Sequence, residues 1–179
     1  MNGFYLSIGK QGSGKTLFTV KLLYSELDNR RVFSNFKLYE MEYEPITFDN
    51  ELEPDKTDIL EALEKDPHYF DNSIMLIDEM HIYFDSLDFM RSNSRKMQKF
   101  FSQLRKRNIL LLGTTQYLMN LDVRIRRQCM NVFDMKHIYK GLFEVTTCEI
   151  DGYFSQEVSK YKVDLSEYFN KYDTNELVL

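Results

Sequence analysis

The run Gly9-Lys10-Gln11-Gly12-Ser13-Gly14-Lys15-Thr16 constrains this chain more than any other feature. Glycine, four residues, then Gly-Lys-Thr is a phosphate-binding loop, and the pattern is specific only where a buried strand enters it and a helix leaves it. Residues 4–8, Phe-Tyr-Leu-Ser-Ile, form a short apolar run, and residues 17–27 carry apolar side chains at helical spacing. Strand, loop and helix are therefore predicted in the required order. Gly9, Gly12, Ser13 and Gly14 let successive backbone N–H groups turn inward around an anion, and the helix adds the positive end of its dipole. Lys15 is expected to neutralise the β and γ oxygens of a nucleotide, and Thr16 to ligand Mg²⁺.

Beyond this loop, residues 32–36 read as a second strand. Residues 74–77, Ile-Met-Leu-Ile, read as a strand buried on both faces, and residues 109–113 as another. Residues 94–107 place Met97, Phe100, Phe101 and Leu104 on one face of a helix, with Arg95, Lys99 and Lys106 elsewhere. Two runs, 130–139 and 142–150, flank Lys140-Gly141 and predict a β-hairpin. Residues 38–72 contain Pro45, Pro54 and Pro67 and one helix near 57–64, and are expected to form an exposed excursion within a single domain spanning 1–179. Strands alternating with helices give an α/β fold with a mostly parallel central sheet.

Asp78-Glu79 closes the 74–77 strand. A carboxylate there reaches the metal beside Thr16, and a second one orients and deprotonates a water attacking the γ-phosphate. A small-molecule kinase, which activates a substrate hydroxyl, has no use for that second acid, so the pair favours hydrolysis. Gln116 ends the next strand, where open parallel sheets place ligand-contacting groups, and is expected to sense the γ-phosphate. Arg105 and Arg107 close the preceding helix. Either offers planar, permanently charged donors to a transferring phosphoryl group of a neighbouring copy, as do Arg124 and Arg126 further on, although helix-end cations are also favoured by the dipole alone. His81 is expected to be a strand-end polar residue, since no other His or Cys lies near it at ligand spacing. Asn170-Lys171-Tyr172-Asp173 spells a guanine-reading motif, but no buried strand precedes it. ATP, not GTP, is the expected nucleotide.

The formal charge of −5 argues against indiscriminate coating of nucleic acid, yet it hides an asymmetry. Residues 38–72 hold twelve acids and two lysines, whereas residues 89–121 hold seven cations and no acid. Such a molecule can stack head to tail or present Arg91, Arg95, Lys96 and Lys99 to DNA, and two solvated faces would look the same on charge alone. No apolar run approaches the 18 or so residues of a membrane helix, the opening Met1-Asn2-Gly3-Phe4 shows no basic region, long apolar segment or small-residue cleavage site, and Cys129 and Cys148 are too few for a disulfide scaffold. A soluble protein of a reducing interior is the expectation.

Taken together, the loop 9–16, Asp78-Glu79, Arg105-Lys106-Arg107-Asn108-Ile109 and Thr114-Thr115-Gln116 resemble the FtsK–HerA superfamily of DNA-pumping P-loop ATPases. Within it the chain is similar to the viral branch, the genome-packaging ATPases and the phage assembly ATPases of the zonula occludens toxin type. Residues 78–86, 105–109 and 172–176 look most like the latter. The resemblance implies a RecA-like core, Arg105 as the arginine acting in trans and Gln116 as the sensor. It further implies a ring-shaped homo-oligomer of five or six copies, viral DNA as substrate, and a capsid or capsid-membrane protein as partner, in the host cytoplasm or at the virion vertex. Phage assembly proteins carry a membrane anchor and a further domain after this ATPase. Residues 1–179 contain neither, so a DNA-packaging motor is the first expectation and an assembly and export factor the alternative.

Overall fold

The computed structural model describes residues 1–48, 53–84, 93–150 and 155–173. One nine-stranded sheet organises them: β1 (Gly3–Ile8), β2 (Arg31–Ser34), β3 (Glu44–Thr47), β4 (Thr57–Asp58), β5 (Ser73–Ile77), β6 (Leu110–Thr115), β7 (Cys129–Tyr139), β8 (Leu142–Ile150) and β9 (Ser155–Asp164). Their order is β4-β3-β2-β5-β6-β1-β7-β8-β9. Every neighbouring pair from β4 to β7 is parallel, and β7–β8 and β8–β9 are antiparallel.

The continuous apolar runs in β5 and β6 follow from burial on both faces, because successive side chains alternate across the sheet. Ile74 and Leu76 pack with Leu110 and Leu112 under α1 (Lys15–Glu26), against Leu17, Phe18, Val20 and Leu23. Met75, Ile77 and Leu111 face the opposite layer, formed by α2 (Ile59–Lys65), α3 (Asn93–Gln103) and the short α4 (Val123–Arg126). Met97, Phe100, Phe101 and Leu104 are all buried there, so the helical periodicity read from the sequence is the packing face of α3. Phe101 meets Phe4 and Phe84 edge-on at 5.3 and 5.4 Å.

Past α3 the chain closes a Schellman turn. Ile109 N–H donates to the Leu104 carbonyl at 2.9 Å and Asn108 N–H to the Arg105 carbonyl at 3.3 Å, with Asn108 left-handed at φ 56°. This extra turn carries the helical geometry to the boundary that the sequence predicts and launches β6 from the far edge of the sheet.

Residues 38–72 are not the exposed excursion expected. Leu38, Ile46, Ile59 and Phe70 are fully or nearly fully buried, and β3 and β4 extend the sheet. Acidity misled because the acids serve as anchors. Glu44 accepts from Arg31 at 2.9 Å, from Thr57 at 3.1 Å and from the Tyr69 hydroxyl, while the Arg31 guanidinium lies 4.7 and 4.9 Å from the Phe33 and Tyr69 rings. The predicted hairpin turns at Lys140-Gly141 as expected, but β9 makes it a three-stranded meander. Residues of β9 are exposed on both faces except Val163, so no hydrophobic alternation marked it.

Candidate active site

Strands β5, β6 and β1 are parallel neighbours, so they end on one edge of the sheet, where Ile8 is in register with Thr115 and Ile77 with Gly113. Topology thus gathers the loop after β1, Asp78-Glu79 after β5 and Gln116 after β6. Gly9 N–H donates to the Gln116 carbonyl at 3.3 Å and ties the first to the last.

The loop holds Gly9, Gly12 and Gly14 at φ 137°, 74° and 91°. Gly14 is the N-cap of α1, with no side-chain cap and no acid in the first turn, which leaves the opening N–H groups of the helix for an anion. A Cβ at Gly14 would stand 2.5 Å from Phe143 Cε1, so β8 packs directly on the loop. Lys15 is buried and its Nζ donates to the Lys10 carbonyl at 3.3 Å, inside the curve of the loop. Ser13 Oγ is buried with no hydrogen-bond partner among the described residues.

Thr16 Oγ1 donates to Asp78 Oδ1 at 3.0 Å, and the Thr114 hydroxyl donates to the same oxygen. Two hard oxygens at this separation suit neighbouring positions on an octahedral Mg²⁺ with bonds of about 2.0–2.1 Å. Among the described residues no group of three or more His, Cys, Asp or Glu side chains is arranged to hold a metal ion. Asn35, buried at the end of β2, fixes the backbone of Asp78 from both sides: Nδ2 donates to its carbonyl at 3.1 Å and Oδ1 accepts its N–H at 2.8 Å. Tyr172 packs edge-on against Phe36 at 6.0 Å, and burial, with the Asp78 charge adding to it, pushes its phenol up to about 12. The would-be guanine motif is thus built into the fold, with Asp173 N–H bonded to the Lys37 carbonyl at 3.0 Å.

Glu79 adopts a left-handed conformation, φ 49° and ψ 49°, and its N–H donates to Thr114 Oγ1 at 3.0 Å. Thr114 therefore locks both acids to β6. Burial is the main cause holding the Glu79 carboxyl above the ordinary carboxylate range. The Asp78 charge adds to it, and Lys15, His81 and a hydrogen bond from Gln116 oppose it. A carboxylate tuned upward beside a phosphate loop and a second acid is suited to taking a proton from water.

The remaining predicted residues divide. Arg105 is exposed and its aliphatic stem lies against Gly3, at the opposite end of β1, roughly 17 Å of strand away from the loop. It does not reach the phosphate loop of its own chain. Arg107 is ion-paired with Asp71, donates to the Pro67 carbonyl and covers the Phe100 ring at 5.2 Å. Arg124 clasps Asp122 through Nε at 2.9 Å and Nη2 at 3.0 Å, and Arg126 is buried against Met119. Arg95 and Lys99 are exposed on α3, Lys96 pairs with Glu64, and Arg91 lies outside the described residues. Asn35 was not singled out from the sequence, and Thr114 and Tyr172 entered only as members of the runs 114–116 and 170–176, without a role at the site. Each acts across a sheet or a long loop, and only the Thr114-Thr115 pair at a strand end was a local sign.

A cavity of about 770 Å³ opens beside the loop, bounded by Lys10, Gln11, Gln116, Tyr117, Asp134 and Lys160. No helix among the described residues is long and apolar enough to cross a membrane.

Residues 3–174 match the family model described as zonular occludens toxin (Zot). The N-terminal domain of zonular occludens toxin from Neisseria meningitidis superposes with a TM-score of 0.71 at 19% identity, covering 97% of this chain and 100% of that one. The genome packaging NTPase B204 of Sulfolobus turreted icosahedral virus 2, in complex with ATP-γS, superposes at 0.54 with 11% identity, covering 88% and 97%. The DNA-packaging ATPase B204 of Sulfolobus turreted icosahedral virus gives 0.52 and 13%, covering 89% and 98%. At these identities the likeness establishes the P-loop NTPase fold. No curated protein matches the sequence.

Proposed function

The chain belongs to the zonular occludens toxin family of P-loop NTPases, and from that premise we propose that it is an Mg²⁺-dependent ATPase that drives viral DNA during virion assembly. The observation that carries hydrolysis is the pair Asp78-Glu79, with Asp78 bonded to Thr16 and Glu79 presented as a separate, half-buried carboxyl. The loop N–H groups and Lys15 cradle the β- and γ-phosphates. Thr16 and Asp78 hold Mg²⁺, which when bound neutralises charge on the phosphate oxygens. Glu79 accepts the proton of the attacking water as the bond to the leaving β-γ bridging oxygen breaks, giving ADP and phosphate. Gln116, joined to the loop through its carbonyl and to Glu79 through its side chain, is placed to respond to the γ-phosphate. Arg105 acts on the next copy of a closed head-to-tail ring, because it cannot serve its own loop.

DNA transport rests on the exposed cations of α3. The chain after β5 returns through α3 to the far edge, so Arg95, in the first turn of α3, is the cation set toward the nucleotide edge, whereas Lys99 lies further along and lines a groove with Pro67, His68 and Arg107. The related ATPases described as packaging DNA or genomes share this fold. The deciding experiment is ATP hydrolysis with and without DNA, on the full chain and on a variant with Arg91, Arg95, Lys96 and Lys99 neutralised. DNA is expected to accelerate hydrolysis, and the variant to lose that acceleration, keep the basal rate and bind DNA with a salt slope smaller by about one unit per lost contact. An unchanged rate with DNA would instead identify an assembly factor in which ATP binding organises a complex and a partner handles DNA.

A further inference from the structure

We propose that His81 is a positioning residue for hydrolysis, holding the Glu79 carboxyl and joining it to the end of β6. This rests on the assignment of Glu79 as the group that activates water. His81 Nδ1 lies 3.2 Å from Glu79 Oε2 and 3.4 Å from Thr115 Oγ1, so one ring nitrogen touches both the acid and the residue before Gln116. Glu79 Oε2 is itself buried and has no hydrogen bond of good geometry among the described residues, and His81 Nδ1 is a polar group within ion-pair distance of it.

The local backbone explains why the contact forms. Glu79 in its left-handed conformation turns the chain into a 3₁₀ turn, Met80–Ile82, that is capped by Ile82 N–H to the Glu79 carbonyl at 2.9 Å. Met80 is fully buried and anchors the turn on β6, where Gly113 leaves room for it. A Cβ at Gly113 would stand 2.1 Å from Met80 Sδ. With residue 80 pinned beneath, residues 79 and 81 emerge on the same side, and their side chains meet above Thr115. A carboxyl that is both buried and flexible would spend time in orientations unable to reach water, and a misplacement of about 1 Å can cost a factor of 10² in rate. His81 removes that freedom without touching phosphate, and through Thr115 it gives β6 a mechanical hold on the glutamate.

The test uses the full chain and compares His81→Ala, His81→Asn and Glu79→Gln, with His81→Ala also made in the Glu79→Gln background. Steady-state and single-turnover hydrolysis would be measured beside affinity for ATP-γS. His81→Ala is expected to lower kcat about 10- to 100-fold, with KM and ATP-γS affinity changed by no more than about twofold. His81→Asn, whose amide can still donate to Oε2, is expected to recover part of the loss. In the Glu79→Gln background, His81→Ala is expected to add nothing, since the group it positions is gone. The proposal fails if His81→Ala keeps wild-type kcat, if His81→Asn is as slow as His81→Ala, or if His81→Ala slows Glu79→Gln by the same factor as wild type. Wild-type turnover in Glu79→Gln itself would instead overturn the underlying assignment of Glu79, so the two failures are distinguishable.

Discussion

At the scale of single residues, the site separates binding from chemistry. Lys15 is buried inside the loop, where under the proposed function its charge would serve phosphate in ground and transition states alike, whereas Glu79 stands beyond Asp78 and touches the loop only through its field. Lys15→Ala should therefore lose ATP-γS binding. Glu79→Gln should bind normally and slow hydrolysis by about 10² to 10⁴. If Glu79→Gln weakened binding as much as Lys15→Ala, the two roles would not be separate. The pH profile follows from the same carboxyl. Glu79 must be ionised to accept a proton, and its folded-state pKa is raised above 4.5. The acid limb of kcat/KM, which reports the free enzyme, should lie above the range of an ordinary carboxylate, with activity falling as pH drops through it. The linkage to stability has the opposite sign. The folded state binds the proton more tightly, so this group's contribution is largest below pH 4.5 and declines as pH rises through the folded value. An acid limb of kcat/KM near 4.5, or one that survives Glu79→Gln, would assign it to another group.

At the scale of elements, β8 is as much a part of the phosphate loop as α1. Phe143 is 4% exposed and occupies the space a side chain at Gly14 would need, and Gly14 is also left-handed at φ 91°. Gly14→Ala should destabilise the fold by about 2–4 kcal/mol, from backbone strain and overpacking together, and should weaken ATP-γS binding. Adding Phe143→Ala relieves only the clash, so binding by the double variant should remain below wild type. Denaturant melting together with ATP-γS titration checks both, and full recovery in the double variant would reduce the loop's requirement for glycine to space alone. The loop was readable from sequence because its conformation depends on residues next to one another. Its dependence on Phe143, 129 positions away, was not.

At the scale of the whole molecule, the constraint is that Arg105 and the phosphate loop occupy opposite ends of β1. Arg107 and Arg124 are held by Asp71 and Asp122, and Arg126 is buried, which leaves Arg105 as the exposed arginine among the four candidates. In a ring, Arg105→Ala and Lys15→Ala should each be inactive, and mixing them should restore part of the hydrolysis through interfaces that combine an intact loop with an intact arginine. Absence of recovery, with a monomer by light scattering in ATP-γS, would remove the trans arrangement. Charge acts at this scale too, but differently from its distribution along the chain. Five of the twelve acids of residues 38–72, Glu40, Glu44, Glu53, Glu61 and Glu64, are engaged by Lys171, Arg31, Lys56, Lys65 and Lys96, so part of the stretch that looked like an acidic face is the chain's own counterion.

The amino-acid sequence by itself determined the glycine loop between β1 and α1, the buried strands β1, β5 and β6, the packing face of α3 and the placing of Asp78, Glu79 and Gln116 at strand ends. These depend on local pattern: glycines that permit φ above zero, apolar runs that only a two-sided burial explains, and acids at a strand end. Tertiary structure alone decided that Asn35 grips Asp78, that Thr114 ties both acids to β6, that His81 reaches Glu79 and Thr115 at once, and that Tyr172 returns to the site from the end of the chain. It also decided that β9 exists, because an edge strand exposed on both faces is held by its backbone ladder to β8 and carries no hydrophobic signature of its own. The physical reason is the same throughout. Hydrogen bonds and contacts between residues dozens of positions apart depend on how parallel strands are ordered in a sheet, and the order β5-β6-β1 is written in no single segment of the chain.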